Sequence, residues 1–132
     1  MIATEVMYTL TGVLTGLYGL GLFFLPSFFM GKYIYGNDSW EKLMDSDHAN
    51  IARHLMAGVG ITWIWTSLLN FQFIGFDIYA VNLTAWGLLV VLDNLVRFYW
   101  KLYSPLASIT NAIMCTGMLI AWIVITVTDL TS

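Results

Sequence analysis

The chain has 132 residues, of which 59% are hydrophobic and 10% charged, with a mean hydropathy of +0.78 and a net charge of −3. Soluble domains carry roughly 25% charged residues, so the composition excludes an ordinary soluble globule and points to an integral membrane protein of one domain, residues 1–132. There is no basic run for nucleic acid, and a single cysteine, Cys115, excludes an internal disulfide and a CxxC redox pair.

A membrane span needs about 20 apolar residues to cross a ~30 Å core. The first such segment runs from about Thr4 to Phe29. It is longer than the apolar part of a secretory signal and no basic residue precedes Lys32, so it reads as a span. Gly12, Gly16 and Gly19 form a small-residue stripe along it, and Pro26 is expected to end or kink it. Gly36-Asn37-Asp38-Ser39 is a turn cluster. In the loop of about 31–47, "SWEKLM" places Trp40, Leu43 and Met44 at i, i+3 and i+4, which predicts a short amphipathic turn at the membrane interface.

The second span runs from about Ala49 to Phe71 and carries Ala57, Gly58 and Gly60. Gly75-Phe76-Asp77 predicts a hairpin, with Asp77 as N-cap of a third span from about Ile78 to Trp100. Ser104-Pro105 reads as a cap with proline at the first helical position, opening a fourth span from about Leu106 to Thr128. That span has its own small pairs, Ser108 with Ala112 and Gly117 with Ala121. The expected fold is all-α, four transmembrane helices in an up-down antiparallel bundle. The small residues suit packing within such a bundle or against another protein.

The five basic residues, Lys32, Lys42, Arg53, Arg97 and Lys101, all lie in or beside the loops joining spans 1–2 and 3–4. The positive-inside rule puts those loops on the cytoplasmic, stromal or matrix side, and both termini on the periplasmic, lumenal or intermembrane-space side. Tyr33, Tyr35, Trp40, Tyr99, Trp100 and Tyr103 crowd the inner boundary. Tyr8, Tyr79, Phe71, Phe73 and Phe76 mark the outer one, as aromatic belts do. A bacterial inner, thylakoid or mitochondrial inner membrane fits equally.

The ionisable and amide residues gather at the inner-leaflet level: Arg53 and His54 on span two, Asp93, Asn94 and Arg97 on span three, Asn111 on span four. An intramembrane charge is a functional candidate by default. One reading is a polar pocket for a lipid headgroup, quinone or pigment; the other is a rim of snorkelling arginines with a self-satisfied pair. Asp93 and Arg97 stand at i, i+4 with the acid first, the favourable order for an ion pair, while Arg53 is the competing partner across the bundle. His48 and His54 are six apart, about 600° at ~100° per residue, so a straight helix cannot aim both at one metal. Singly, either is a candidate axial ligand for chlorophyll or haem, and His54 the stronger.

No HExxH, P-loop, GxSxG or helix-opening GxGxxG occurs. In layout the chain is similar to small four-helix membrane families such as the DoxX-like proteins, a likeness of topology and length. It is similar in length to the membrane glutathione-transferase-like family. That resemblance implies a glutamate and several arginines on the second helix, where "HANIARHLMAG" has one arginine and no glutamate. The expectation is therefore a non-enzymatic accessory subunit of a photosynthetic or respiratory membrane complex. It would contact membrane lipids and other integral subunits, with Gly12, Gly16, Gly19, Gly58, Gly117 and Ala121 as packing residues and lipid, chlorophyll or carotenoid as candidate cofactors. The alternative is a small-ligand binder, carrier or membrane enzyme using the inner polar cluster.

Overall fold

A computed structural model of the chain describes residues 2–35, 38–71 and 77–131, without the side chains of Ile2 and Lys32. Among these residues the protein is helical and has no strand. Helix α1 spans Ile2–Phe24 and leads into a π-helical stretch, Phe28–Tyr35. A short α2 (Ser39–Met44) precedes α3 (Ala49–Asn70). Helix α4 (Ile78–Asn94) runs into a second π-helical stretch, Leu95–Tyr99, and α5 covers Pro105–Thr131. The Gly36-Asn37 half of the expected turn cluster, the hairpin at Gly75-Phe76 and the belt residues Phe73 and Phe76 lie outside the described residues.

The first span is expected to reach Phe29, but α1 ends at Phe24 and the chain coils on in a wider helix. Pro26 is the local cause, since it brings no N–H to the ladder. The ladder is kept on either side of it: Leu25 N donates to Gly21 O at 2.9 Å and Phe29 N to Leu25 O at 3.0 Å. Much of the expected interfacial loop, about 31–47, is therefore helical. The apolar face of α2 does not stand free for the interface. Trp40 is 2% exposed and packs with Leu22 and Met30, flanked by Leu43 and Met44.

Two starts follow local chemistry. Asp77 Oδ1 accepts from the N–H groups of Tyr79 and Ala80 at the head of α4. Ser104 Oγ accepts from Ala107 N at the head of α5 and donates to Tyr33 O. Just before, Lys101 takes a left-handed φ of 54°, and Leu102 N reaches back to Val96 O at 3.0 Å, a closing turn that glycine usually serves.

Contacts set the order of the four long helices. Gly12 lies against Phe71, Gly16 against Ser67, and Gly19 against Gly60 and Ile64, so α1 and α3 run antiparallel. Their backbones touch: a Cβ on Gly19 would sit 2.8 Å from the Gly60 carbonyl oxygen. Ser67 Oγ donates to Gly12 O across this seam at 2.6 Å. Helix α4 with its π-helical continuation meets α5 from Tyr79–Asp129 at one end to Arg97–Ser108 at the other. Thr4–Asp129, Trp122–Thr11 and Tyr18–Asn111 join α5 to α1, and Asn82–Asn70 with the Trp63–Trp86 ring pair joins α4 to α3.

The solvent logic is inverted. Thr11, Asn70, Asn82 and Asp93 are buried, while Leu17, Phe24, Leu88, Phe98, Ile113 and Leu130 are each more than half exposed. Apolar exposure on this scale is consistent with helices that could span a membrane. Among the described residues, three helices, Ala3–Phe24, Ile78–Tyr99 and Pro105–Thr131, are long and apolar enough to cross a membrane.

Candidate functional site

The i, i+4 spacing at the end of α4 builds a fork-to-fork pair. Arg97 Nη1 donates to Asp93 Oδ2 at 2.7 Å and Nη2 to Oδ1 at 3.1 Å. Arg97 Nε also donates to Ser108 Oγ at 2.9 Å, and Nη2 to Ser108 O at 2.5 Å. Four of the five guanidinium N–H groups are thus engaged. The cation also lies over the rings of Phe98 and Tyr103. Asp93 is 3% exposed, and both its oxygens accept from Arg97. Bidentate, charge-assisted bonds are the stronger kind, and this set staples α4 to α5.

Arg53 does not reach the pair. It is exposed on α3 and donates to Asn50 Oδ1 at 3.3 Å. His54 is exposed too, about 200° around α3 from the inward Met56 at ~100° per residue. His48 is exposed at the N-cap of α3 without a side-chain capping bond. Asn94 is exposed and donates to Val90 O of its own helix. Of the six polar candidates, the structure pairs Asp93 with Arg97, sets Asp93 and Asn111 on the wall of one cavity, and leaves Arg53, His54 and Asn94 exposed. Of the packing candidates, Gly12, Gly16 and Gly19 make the α1–α3 seam. Gly58 and Gly117 have open space where a Cβ would stand, and Ala121 is half-buried. Among the described residues, no three of His, Cys, Asp and Glu converge as a metal set would.

Beside the staple lies a cavity of about 310 Å³ bounded by all four long helices and the first π-helical stretch. Most of its wall is apolar, with Leu22, Met30, Met56, Val59, Leu89 and Met114. One edge is polar, made by Tyr18, Asp93, Tyr103, Asn111 and Cys115. The named contacts between α3 and α4 lie toward the other end, at Asn70–Asn82 and Trp63–Trp86, and the cavity occupies the space beyond them.

The polar edge is well held. Tyr18 stacks on Trp63 with ring centroids 5.4 Å apart and meets Phe29 edge-on. Its hydroxyl donates to Asn111 Oδ1 at 2.8 Å and lies 3.2 Å from the Tyr33 hydroxyl, itself bonded to Thr110. Asn111 is 4% exposed, and its Nδ2 has no partner within the protein. A buried donor left unpaired costs about 1–3 kcal/mol. Tyr103, in the turn before α5, has its phenol pushed above the ordinary value by burial, with the Asp93 carboxylate acting the same way. It stays a neutral donor at physiological pH.

Sequence reasoning reached Asp93 and Asn111 but not Tyr18, Trp63 or Tyr103, which read as unassigned or belt aromatics. Cys115 stands one helical turn from Asn111 on the cavity wall of α5. The available signal on α5 was the i, i+4 spacing of Asn111 and Cys115. No family profile, curated protein or solved structure matches the chain.

Proposed function

We propose that the chain is a four-span integral membrane protein that holds a small, largely apolar molecule in the cavity at its basic end, without catalysing a reaction. The observation that carries this reading is the cavity itself: about 310 Å³, apolar over most of its wall, with a few convergent polar groups. Ligand sites have that make-up. Helix α3 is the fourth crossing in this proposal. It has 22 residues, about 33 Å at ~1.5 Å per residue, and lies antiparallel along α1. With the five basic residues at or near one end, both termini face the non-cytoplasmic side. Non-catalytic holding is supported by the closed account of Asp93 and Arg97, whose charges are spent on each other and on Ser108. Purification in mild detergent, then solvent extraction, mass spectrometry and an absorption spectrum, tests the reading. One small molecule per chain is expected, with its amount falling in a Val59→Trp variant that fills the cavity rim. Wild-type protein with no such molecule, or unchanged content in the variant, would refute it.

A second reading has its own observation. Gly58 on α3 and Gly117 on α5 are exposed, with nothing within 4 Å of a built Cβ. Small residues on an outward face let a neighbouring helix approach closely. This favours an accessory subunit of a larger photosynthetic or respiratory complex, the cavity then holding a lipid, carotenoid or chlorophyll of that assembly. Co-purifying integral subunits are expected, and migration alone as a small oligomer would count against it.

A further inference from the structure

We propose that the cavity's occupant is a neutral molecule whose apolar body carries a carbonyl or hydroxyl oxygen, and that Asn111 Nδ2 donates a hydrogen bond to that oxygen. This rests on the ligand-holding reading above and narrows it to a chemical class.

Charge narrows the class first. Asp93 lines the cavity, but both its oxygens are taken by Arg97, so it offers no free anion to a cationic ligand. No lysine or arginine lines the cavity among the described residues, so an anionic headgroup finds no cation there. An uncompensated charge in such a wall is strongly disfavoured. The occupant is therefore neutral.

Hydrogen bonding narrows it further. Tyr18 is fixed by its stack on Trp63, and its hydroxyl anchors Asn111 Oδ1 at 2.8 Å. The other end of the same amide is nine-tenths buried and unpartnered, in a residue that lines the cavity. Buried polar groups in folded proteins are paired almost without exception, so an orphan beside a cavity marks where a partner belongs. That partner is an acceptor oxygen. The apolar wall, with Leu22, Met56, Val59 and Met114, takes the hydrocarbon part. A ketone, a quinone or an alcohol on an isoprenoid or acyl body meets both demands, and a plain hydrocarbon meets only the second.

A matched pair of probes tests this on the full chain in detergent. Bromine quenches tryptophan, and Trp63 and Trp100 both line the cavity. The probes are a brominated decane and a 2-decanone brominated at the same carbon, titrated against tryptophan emission. Quenching shared with the Val59→Trp variant reports detergent partitioning and is subtracted. The expected result is saturable quenching by the ketone at a concentration roughly 2- to 12-fold below that of the alkane, the ratio one neutral hydrogen bond supplies. Asn111→Leu brings the ratio to about one. Equal wild-type affinities, with both probes blocked by Val59→Trp, overturn the oxygen proposal and leave the cavity reading standing. No saturable quenching by either probe overturns the cavity reading itself. The wild-type ratio needs no variant at position 111, so a misfolded Asn111→Leu leaves the test intact.

Discussion

Replacing Asp93 with asparagine isolates the charge of the staple at nearly constant shape. The carboxylate is 3% exposed, and the Arg97 side chain 15%. Removing one partner of a buried pair costs about 3–5 kcal/mol, because the other charge is left uncompensated. Two features soften this. Arg97 keeps both bonds to Ser108, and it sits near the C-terminal end of α4, where the helix macrodipole favours a cation by about 0.3–1 kcal/mol. The expected loss for Asp93→Asn is therefore about 2–4 kcal/mol. The double change Asp93→Leu with Arg97→Met removes both charges and refills the space. It should fall within about 1 kcal/mol of wild type or above it, since apolar replacement of a buried pair is often neutral or stabilising. Reversible unfolding in mixed detergent, followed by tryptophan emission, measures all three proteins. A loss below about 1 kcal/mol in the single variant, or a double variant as unstable as the single one, would refute the account of a desolvated, mutually dependent pair.

The α1–α3 seam predicts a contrast between glycines. A Cβ at Gly19 would stand 2.8 Å from both Gly60 O and Ile64 N, so Gly19→Ala forces two backbones apart and should cost about 1–3 kcal/mol in the same assay. Gly58→Ala meets nothing within 4 Å and should gain up to about 1 kcal/mol from helix propensity. At the other end of the bundle, Asn82 Nδ2 donates to Asn70 Oδ1 at 2.7 Å in a fully buried site. Asn82→Leu leaves that oxygen unpaired and should cost about 1–3 kcal/mol, while Thr62→Val on the exposed face of α3 should change stability by less than about 0.5 kcal/mol.

What the chain determines locally is what can be read from it directly. Its hydrophobicity sets the class, because 10% charged residues cannot cover a water-facing surface. Asp77 and Ser104 set helix starts through bonds to N–H groups two or three residues away. The Asp93–Arg97 pair is legible for the same reason, since i, i+4 positions face each other on any helix. Even the stripe of Gly12, Gly16 and Gly19 announces close packing, though not its partner.

Tertiary structure decided everything that depends on how one helix is rotated against another. Arg53 and Asp93 lie at a similar level by sequence, yet α3 turns Met56 toward the cavity and leaves Arg53 exposed, so Arg97 has no rival. Trp40 is buried because the chain coils on past Pro26 and folds α2 back against Leu22 and Met30. The cavity joins Tyr18, Trp63, Tyr103 and Asn111 from four separate parts of the chain, and no spacing links them. Helical periodicity fixes which residues share a face, but the facing of each helix is set by packing summed over the whole bundle.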